Sequence, residues 1–331
     1  EEHSGSYKQH EPQPYYNARE SAILRAKLGN FPVILGSATP SIESYYYALQ
    51  GNYTLLELPE RIPGSSLPAI EIVNLREERE KYKNFASLSY LLKNTIAETL
   101  TKGEKVLLLL NRRGYATSLM CRVCGYVKKC PGCGIPYTYH KRSSKLICHW
   151  CGNEEEAPET CEACGSALFR YKGRGTEKIE EELRESFPDF PTFRLDRDIV
   201  TLKGGVVDTL SEFSKEGPAI LIGTQMVAKG LDFPDVTLVG VLNADIGLNL
   251  PDFRAPERIF QLLAQVAGRA GRGKKKGRVI IQTYSPDSTA ILYALSHSYV
   301  SFYTDTIDER AKLRFPPLNN LILILLSSQS K

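Results

Sequence analysis

The residues best suited to chemistry are eight cysteines, all of which lie between residues 121 and 164. They form four C-x-x-C pairs, each of which can present two thiolates, and two pairs supply the four sulfur ligands of a tetrahedral zinc site. Without a secretory signal, such a pattern indicates metal binding rather than disulfide bonds. The sequence therefore predicts two zinc ions, and because four thiolates leave no open position for a substrate, both should be structural.

The pairing of the C-x-x-C motifs into sites has three possible arrangements. The spacing between Cys133 and Cys148 is close to that of a zinc ribbon. It favours a nested scheme, which also brings the two ends of the segment together, as insertion into a host domain requires. Sequential pairing stays open as an alternative. The nested sites are Cys121, Cys124, Cys161 and Cys164 for one zinc, and Cys130, Cys133, Cys148 and Cys151 for the other.

Basic and aromatic side chains lie between these cysteines. They could contact nucleic acid or form a solvated surface loop, and the sequence does not favour either. They are Tyr137, Tyr139, His140, Lys141, Arg142 and Lys145.

A second candidate site is the stretch QVAGRAGR at residues 265–272. On a helix, Gln265, Arg269 and Arg272 are spaced i, i+4, i+7 and would share one face. Each neighbouring glycine costs a helix interior ~1 kcal/mol relative to alanine, which is tolerated where a ligand must come close. Arginines at such a place suit a phosphate. The alternative is a surface helix whose arginines form salt bridges.

A loop that would cradle the other phosphates is not found in the sequence. The stretch ILIGTQMVAKGLDF superficially resembles a P-loop, but Ala228-Lys229-Gly230 stands where G-K-[ST] is required. The pattern G-x-x-x-x-G-K-[ST] occurs nowhere in the 331 residues. The arginines for a γ-phosphate are thus predicted without the loop that binds a nucleotide.

The elements that must position these residues follow an α/β pattern. Continuous apolar runs predict buried parallel strands, and helical stretches lie between them. With 42% hydrophobic and 24% charged residues, the composition is that of a globular protein, and a net charge of +4 is too mild to indicate nucleic acid by itself. No apolar run approaches the ~20 residues of a membrane span, and no signal peptide is apparent, so we expect a cytoplasmic protein. The predicted strands are 31–36, 105–111, 219–223, 236–242 and 278–284, and the predicted helices are 88–103 and 175–187.

Several motifs occur together and in order. They are GSATPS (36–41), NRRGYA (111–116), the four C-x-x-C pairs, GTEKIEEEL (175–183), GTQMVAKGLDFP (223–234), PDFRAPER (251–258) and QVAGRAGR (265–272). Over nearly the whole chain this pattern resembles the PriA family of replication-restart helicases in superfamily 2. The resemblance implies α/β RecA-like helicase lobes, namely the end of lobe 1 and lobe 2, with an inserted two-zinc cysteine-rich domain.

The resemblance also implies a division into domains and a longer parent protein. EEH at the N-terminus resembles the tail of the family's D-E-E-H motif, with Ser4 where the family has aspartate. The P-loop half of lobe 1 would then lie upstream, and most of a C-terminal domain beyond Lys331. The implied domains are lobe 1 (1–58), a linker (59–68), lobe 2 (69–120 and 171–298), the zinc insertion (121–170) and the start of a C-terminal domain (299–331).

Roles for single residues follow by the same resemblance. Glu1 matches the acid that orients the attacking water, and Arg269 and Arg272 match arginines that reach the γ-phosphate, with Arg272 as the finger. A buried ion pair is an equal alternative for Arg112 and Arg113. The residues matched to ATP binding and coupling are His3, Ser37, Thr39, Gly230, Asp232 and Gln265, and those matched to DNA contact are Arg112, Arg113 and Lys229.

The function implied is an ATP-dependent 3′–5′ DNA helicase that recognises stalled or repaired replication forks and initiates primosome assembly. Its cofactors would be two zinc ions, with ATP and Mg²⁺ in the complete protein. Its partners would be forked and single-stranded DNA, single-strand-binding protein and primosome loading proteins, with no membrane. The chain alone should lack ATPase activity. The alternative is a non-enzymatic zinc module that recognises nucleic acid or protein; a RecQ-type helicase is disfavoured, because the zinc segment lies inside lobe 2.

Overall fold

The computed structural model describes most of the chain as two compact units. One unit comprises Glu1–Glu60 with Ser298–Lys331, and the other comprises Arg61–His297. The domain boundaries implied by the family resemblance remain a prediction. The described residues are 1–9, 14–60, 68–83, 86–110, 118–132, 134–140, 143–149, 151–170, 176–196, 199, 204–224, 233, 235–250, 252–270 and 275–322.

The helices and strands of the described residues are numbered in chain order. The helices are α1 Ala18–Gly29, α2 Ile42–Leu49, α3 Leu75–Tyr82, α4 Tyr90–Thr101, α5 Thr176–Ser186, α6 Gly205–Ser214, α7 Asp245–Leu248, α8 Ala255–Ala267, α9 Thr289–Leu295 and α10 Tyr299–Leu313. The strands are β1 Ala69–Asn74, β2 Lys105–Leu109, β3 Met120–Cys121, β4 Thr138–His140, β5 Lys145–Ile147, β6 Glu154–Glu156, β7 Phe169–Arg170, β8 Thr192–Leu195, β9 Ile220–Gly223, β10 Val236–Val241 and β11 Arg278–Thr283. A short 3-10 helix spans Gly5–Tyr7.

The larger unit is built on a six-stranded sheet in the order β1-β11-β10-β2-β9-β8, with every pair parallel. All residues of β2, β9 and β10 are buried, because helices cover such strands on both faces. Gly240 of β10 allows α4 to approach, since a Cβ there would lie 2.7 Å from Leu108 and 3.0 Å from Leu92. The α/β fold class predicted from the sequence is confirmed.

Four of the five predicted strands are confirmed as β2, β9, β10 and β11, and both predicted helices are confirmed as α4 and α5. The sequence did not predict β1 and β8, which are the two edge strands of the sheet. Edge strands pair on one side only, and β1 keeps polar residues such as Glu71 among its apolar ones. Neither strand therefore has the long apolar run that marks a central strand.

The predicted strand at 31–36 is wrong. Residues 31–36 form no strand, and Phe31, Val33 and Ile34 are 47%, 41% and 89% exposed. A strand needs a neighbour to receive its backbone hydrogen bonds, and no described strand pairs with this segment. An apolar run alone therefore does not make a strand here.

In the smaller unit, α10 packs on α2. The ring of Tyr45 meets Tyr299 and Tyr303 edge-on, with ring centroids 5.1 and 4.7 Å apart. The buried guanidinium of Arg310 lies 3.3 Å from a carboxylate oxygen of Glu43. These contacts join the last described helix to the segment that follows the GSATPS motif.

The cysteine segment is inserted in the larger unit, as the sequence predicts. Its two ends meet where β3 pairs antiparallel with β7, and between them β4, β5 and β6 form a three-stranded antiparallel sheet. In the described part of the chain, no helix is long and apolar enough to span a membrane.

Candidate metal centres and helicase motifs

The outer cysteine cluster consists of Cys121, Cys124, Cys161 and Cys164. The Sγ atoms of Cys121 and Cys164 are 3.6 Å apart, as are those of Cys124 and Cys161, and all four lie within 4.8 Å of one another. Four sulfurs at ~2.3 Å from a zinc ion are separated by about 3.8 Å in a tetrahedron. The four thiols therefore already have the spacing that zinc requires.

The inner cysteine cluster contains Cys130, Cys148 and Cys151, with Sγ atoms of Cys130 and Cys151 3.5 Å apart. Its predicted fourth ligand, Cys133, lies outside the described residues. The seven described cysteines are thus brought together as the nested scheme groups them. Both clusters fit a structural zinc ion, because four sulfur ligands leave no coordination position open for a substrate.

A glycine follows the second cysteine of every pair, a signal that the sequence reasoning missed. In each knuckle the glycine N–H donates to the carbonyl of the first cysteine over 2.8–3.0 Å, and the glycine φ lies between 67° and 76°. This left-handed conformation suits glycine because a Cβ would be strained there. The four glycines are Gly125, Gly134, Gly152 and Gly165.

The outer cluster has thiols of unlike acidity. Burial raises the pKa of Cys121 and raises that of Cys124 to about 12, whereas the hydrogen bond from the Ser166 N–H lowers the pKa of Cys164. Zinc binds thiolates, so Cys121 and Cys124 must lose protons when the metal enters. Zinc binding at this cluster should therefore strengthen as pH rises.

The first knuckle is docked on the parallel sheet through Tyr284, which follows β11 and is fully buried. Its hydroxyl donates to the Arg122 carbonyl (3.3 Å) and its N–H donates to the Asp245 carboxylate (2.8 Å). Burial raises the pKa of that carboxyl group. A Cβ on Gly125 would lie 2.3 Å from the Cβ of Tyr284, so this contact leaves no room for a side chain.

An ion-pair cluster connects the outer and inner cysteine clusters. Lys128 lies 2.5 Å from Glu155 and 2.7 Å from Glu162, which stands between Cys161 and Cys164. The hydroxyl of Tyr137 also donates to Glu155 over 2.8 Å. These bonds lower the pKa of both carboxyl groups and raise that of the ammonium group.

The proposed nucleic-acid contacts of the zinc segment differ in exposure. Tyr137 is 1% exposed and belongs to the core, so its candidacy is wrong. Tyr139 and His140 are half-buried, and Lys145 pairs with Glu154 at 3.0 Å. Lys141 and Arg142 lie outside the described residues.

In the smaller unit, the N-terminal acidic motif is joined to the GSATPS motif. Nδ1 of His3 lies 2.8 Å from Oγ of Ser37, which in turn accepts from the Thr39 N–H at 3.0 Å. Glu1 is exposed, whereas Glu2 is buried. Glu2 accepts hydrogen bonds from the N–H of Ser41 (2.5 Å) and from the guanidinium of Arg19 (2.7 Å).

Sequence reasoning missed Glu2 and its partner Arg19 because only the neighbouring residues matched helicase roles. No local sequence pattern links Glu2 to Arg19, which lies 17 residues further along the chain. The carboxylate is held by three hydroxyl and amide donors besides the arginine, which fixes its orientation.

The prediction of a shared helix face is wrong for Gln265 and Arg269, because the helix ends between them, and Arg272 lies outside the described residues. Helix α8 ends at Ala267 with Gly268 as its C-cap, and the Arg269 N–H donates to the Val266 carbonyl in the turn that follows. Gly268 thus lies at the end of the helix and not in its interior. Arg269 is half-buried in this turn.

Several predicted site residues fall outside the described residues, and their positions stay predictions. They are Arg112, Arg113, Lys229, Gly230, Asp232 and Arg272.

Comparison with known proteins places these motifs in a family. Residues 130–155 match the PriA DNA helicase Cys-rich region (CRR) domain, and residues 170–274 match the Helicase conserved C-terminal domain. The Bacillus subtilis replication restart protein PriA is 47% identical over 329 residues, which cover 99% of this chain and 41% of that protein. The Chlamydia pneumoniae protein of the same name is 44% identical over 97% of this chain and 43% of its own length.

Two solved structures are distantly similar. A RecG bound to a three-way DNA junction has a TM-score of 0.43 at 13% identity, covering 82% of this chain and 26% of its own. Yeast Dbp5 bound to RNA and ADP BeF3 has a TM-score of 0.43 at 15% identity, and the match covers 90% of this chain and 59% of the Dbp5 chain. The sequence relatives span nearly all of this chain, while it spans about two fifths of their length. By this homology the chain belongs to the PriA family of replication restart proteins.

Proposed function

We propose that this chain supplies the end of helicase lobe 1, lobe 2 and the zinc insertion of an ATP-dependent 3′–5′ DNA helicase of the PriA type. The helicase would recognise stalled or repaired replication forks and initiate primosome assembly. The observation that carries the proposal is 47% identity to a replication restart protein PriA over 99% of this chain. The whole activity is proposed for a protein of the relatives' length, of which this chain matches 41%.

In ATP hydrolysis, three residues of this chain would take part. Glu1 would orient the attacking water, and Arg269 and Arg272 would stabilise the charge on the γ-phosphate, with Arg272 as the finger. A bound Mg²⁺ would supply further neutralisation of the phosphates. Gln265, Gly230 and Asp232 take the coupling roles that the family resemblance assigns to them.

The His3–Ser37 hydrogen bond supports a coupling role for the GSATPS motif. It joins the segment beside the proposed water-orienting acid to Ser37 and, through Ser37, to Thr39. A change at the nucleotide would thereby alter this turn, and the two lobes would move DNA as they close and open.

DNA is the proposed substrate, held mainly at its backbone by Arg112, Arg113 and Lys229. The two zinc ions would hold the insertion together, with Cys133 as the eighth ligand. Thiolates must stay reduced to bind zinc, which suits the cytoplasm. Single-strand-binding protein and primosome loading proteins are the proposed partners.

Unwinding of a fork by the full gene product tests the proposal. Arg272→Ala should lower DNA-stimulated ATP turnover by roughly 10³-fold or more, since an arginine finger contributes 10³–10⁵. Forked-DNA affinity should stay within about twofold of the unchanged protein, because a γ-phosphate contact is not a DNA contact. Lys276→Ala changes an exposed lysine four positions further along the chain; it is the matched control and should leave turnover unchanged.

The 331-residue chain alone should hydrolyse no ATP, because it contains no G-x-x-x-x-G-K-[ST] sequence. Steady DNA-stimulated phosphate release from the purified chain would contradict this. If the full gene product bound forked DNA but never hydrolysed ATP, the non-enzymatic zinc module would be the better description.

A further inference from the structure

Two exposed tyrosines of the larger unit are stacked on each other. Tyr82 ends α3 and Tyr90 begins α4, and their rings lie 5.0 Å apart between centroids at an angle of 18°. Tyr82 is 43% exposed and Tyr90 is 54% exposed. Half of the surface of each large aromatic side chain thus remains open to solvent.

The pair is held firmly by its surroundings. The N–H of Tyr90 donates to the Glu78 carboxylate of α3, which connects the two helix ends. The preceding Ser89 caps α4 through the Leu92 N–H (3.1 Å), and its own N–H donates to the Gln282 side chain of β11 (2.7 Å). Little conformational freedom of the backbone would be lost when a ligand binds to these rings.

The pair lies at the edge of the sheet where ligands of parallel α/β folds bind. Helix α3 begins directly after the last residue of β1, and Ser89 is bonded to Gln282, the penultimate residue of β11. Both strands end at the carboxyl edge of the sheet. Strand β2 ends at this edge too, and the proposed DNA contacts Arg112 and Arg113 follow β2 in the sequence.

Exposed lysines flank the two rings. The ammonium of Lys81 lies 5.0 Å from the Tyr82 centroid, and its hydrogen bond with Tyr82 raises the pKa of Lys81. Lys83 follows Tyr82, and Lys93 lies one helical turn after Tyr90. All three lysines are exposed. Positive charge around a stack of aromatic rings matches a single strand of nucleic acid, which offers phosphates together with base faces.

We infer that Tyr82 and Tyr90 form a stacking platform for the bases of single-stranded DNA, with Lys81, Lys83 and Lys93 placed to contact its phosphates. The inference rests on the proposed function in taking DNA as the ligand. Within that function it assigns base stacking to two residues outside the helicase motifs. Stacking tolerates any base, because every base has a π-face, so the platform would bind strands without sequence preference.

The test measures binding of fluorescent oligothymidine to the purified 331-residue chain at low salt. Tyr90→Leu keeps apolar bulk but removes the aromatic face, and it should weaken binding about tenfold. Tyr90→Phe keeps the face and is the matched control, with affinity unchanged. An oligonucleotide of abasic sites should bind both variants equally, because it has phosphates and no bases. Thermal unfolding of the three proteins checks that they fold alike.

The outcomes separate this inference from the proposed function. Equal affinities of Tyr90→Leu and Tyr90→Phe for oligothymidine overturn the platform while leaving DNA binding intact. A chain that binds no single strand overturns the proposed DNA contact and the platform together. If Tyr90→Leu unfolds, photocrosslinking of an iododeoxyuridine oligonucleotide to the unchanged chain decides: crosslinks at Tyr82 or Tyr90 support the platform, and crosslinks elsewhere alone overturn it.

Discussion

Glu2 lies between two residues with proposed roles in ATP hydrolysis, yet its own carboxylate serves the fold. Its side chain is 4% exposed and paired with Arg19 at 2.7 Å, and it also accepts from the Ser44 hydroxyl at 3.0 Å. A buried carboxylate with four donors is held in one orientation. Because Glu1 and His3 flank it directly, fixing Glu2 also fixes the backbone from which both neighbours project.

Glu2→Ala should destabilise the smaller unit by about 2 kcal/mol, because it removes the buried charge-assisted hydrogen bonds of Glu2, while Arg19 keeps its second partner, Glu20, at 2.6 Å. Thermal unfolding followed by circular dichroism measures the change. Glu1→Ala is the matched control, since Glu1 is exposed and its loss should cost less than about 0.5 kcal/mol. Equal losses for the two variants would show that the buried pair does not stabilise the unit.

At the scale of elements, the four knuckle glycines share one backbone conformation, and the first knuckle is packed against Tyr284 at the end of β11. Gly125 and Gly165 both have positive φ, at 74° and 70°. A Cβ on Gly165 would meet nothing within 4 Å, whereas one on Gly125 would meet Tyr284 at 2.3 Å. Alanine at Gly165 should therefore cost only the strain of the left-handed backbone, whereas alanine at Gly125 should also cost the clash with Tyr284.

Gly165→Ala should cost about 1 kcal/mol, from the left-handed backbone alone. Gly125→Ala should cost at least about 2 kcal/mol more, because the knuckle or Tyr284 must shift as well. Urea unfolding of the zinc-loaded chain gives both values, and zinc content should stay the same in the two variants. Equal costs would mean that the first knuckle is not docked on Tyr284.

Proton release on zinc binding is a property of the outer cluster. Burial raises the pKa of Cys121 and Cys124, so both are protonated at neutral pH before the metal enters. Each must be a thiolate afterwards, so zinc uptake should release about two protons or more per outer site. The affinity of the outer cluster for zinc should therefore rise with pH. Calorimetry in buffers of different ionisation enthalpy measures the release, and an affinity independent of pH would contradict the ligand assignment.

Strands could be predicted from the sequence where both faces of the strand are buried, because such a strand needs an unbroken apolar run. Strands β2, β9, β10 and β11 meet this condition and were predicted. The edge strands β1 and β8 lack such an apolar run. Residues 31–36 have an apolar run, but no described strand pairs with them. The end of α8 at Ala267 was also missed, because i, i+4, i+7 spacing describes one face of a helix but does not show where the helix ends.

At the scale of the whole molecule, the cysteine grouping could be predicted because ligand spacing and the joining of the insertion's ends both restrict it. The docking of the insertion could not. Tyr284 lies far along the chain from Arg122 and Gly125, and it carries no motif. A contact between such distant residues depends on the assembled sheet, which local sequence patterns do not encode.

Zinc removal should therefore affect the two units differently. All eight cysteines lie between residues 121 and 164, within the larger unit, and none lies in Glu1–Glu60 or Ser298–Lys331. Structural zinc contributes on the order of 10 kcal/mol to folding, and Tyr284 joins the first knuckle to the end of β11. Chelation should thus loosen the sheet of the larger unit while leaving the smaller unit as it was.

Hydrogen exchange followed by mass spectrometry tests this difference. After chelation, peptides that cover β11 and α3 should exchange faster, because Tyr284 and Leu75 share a buried cluster with Met120 and Val127 of the zinc segment. Peptides that cover α2 and α10 should exchange as before, since their contacts lie within the smaller unit. Added zinc should restore the slow exchange. Unchanged exchange in β11 would mean that the insertion is a separate folding unit, despite the buried tyrosine at its base.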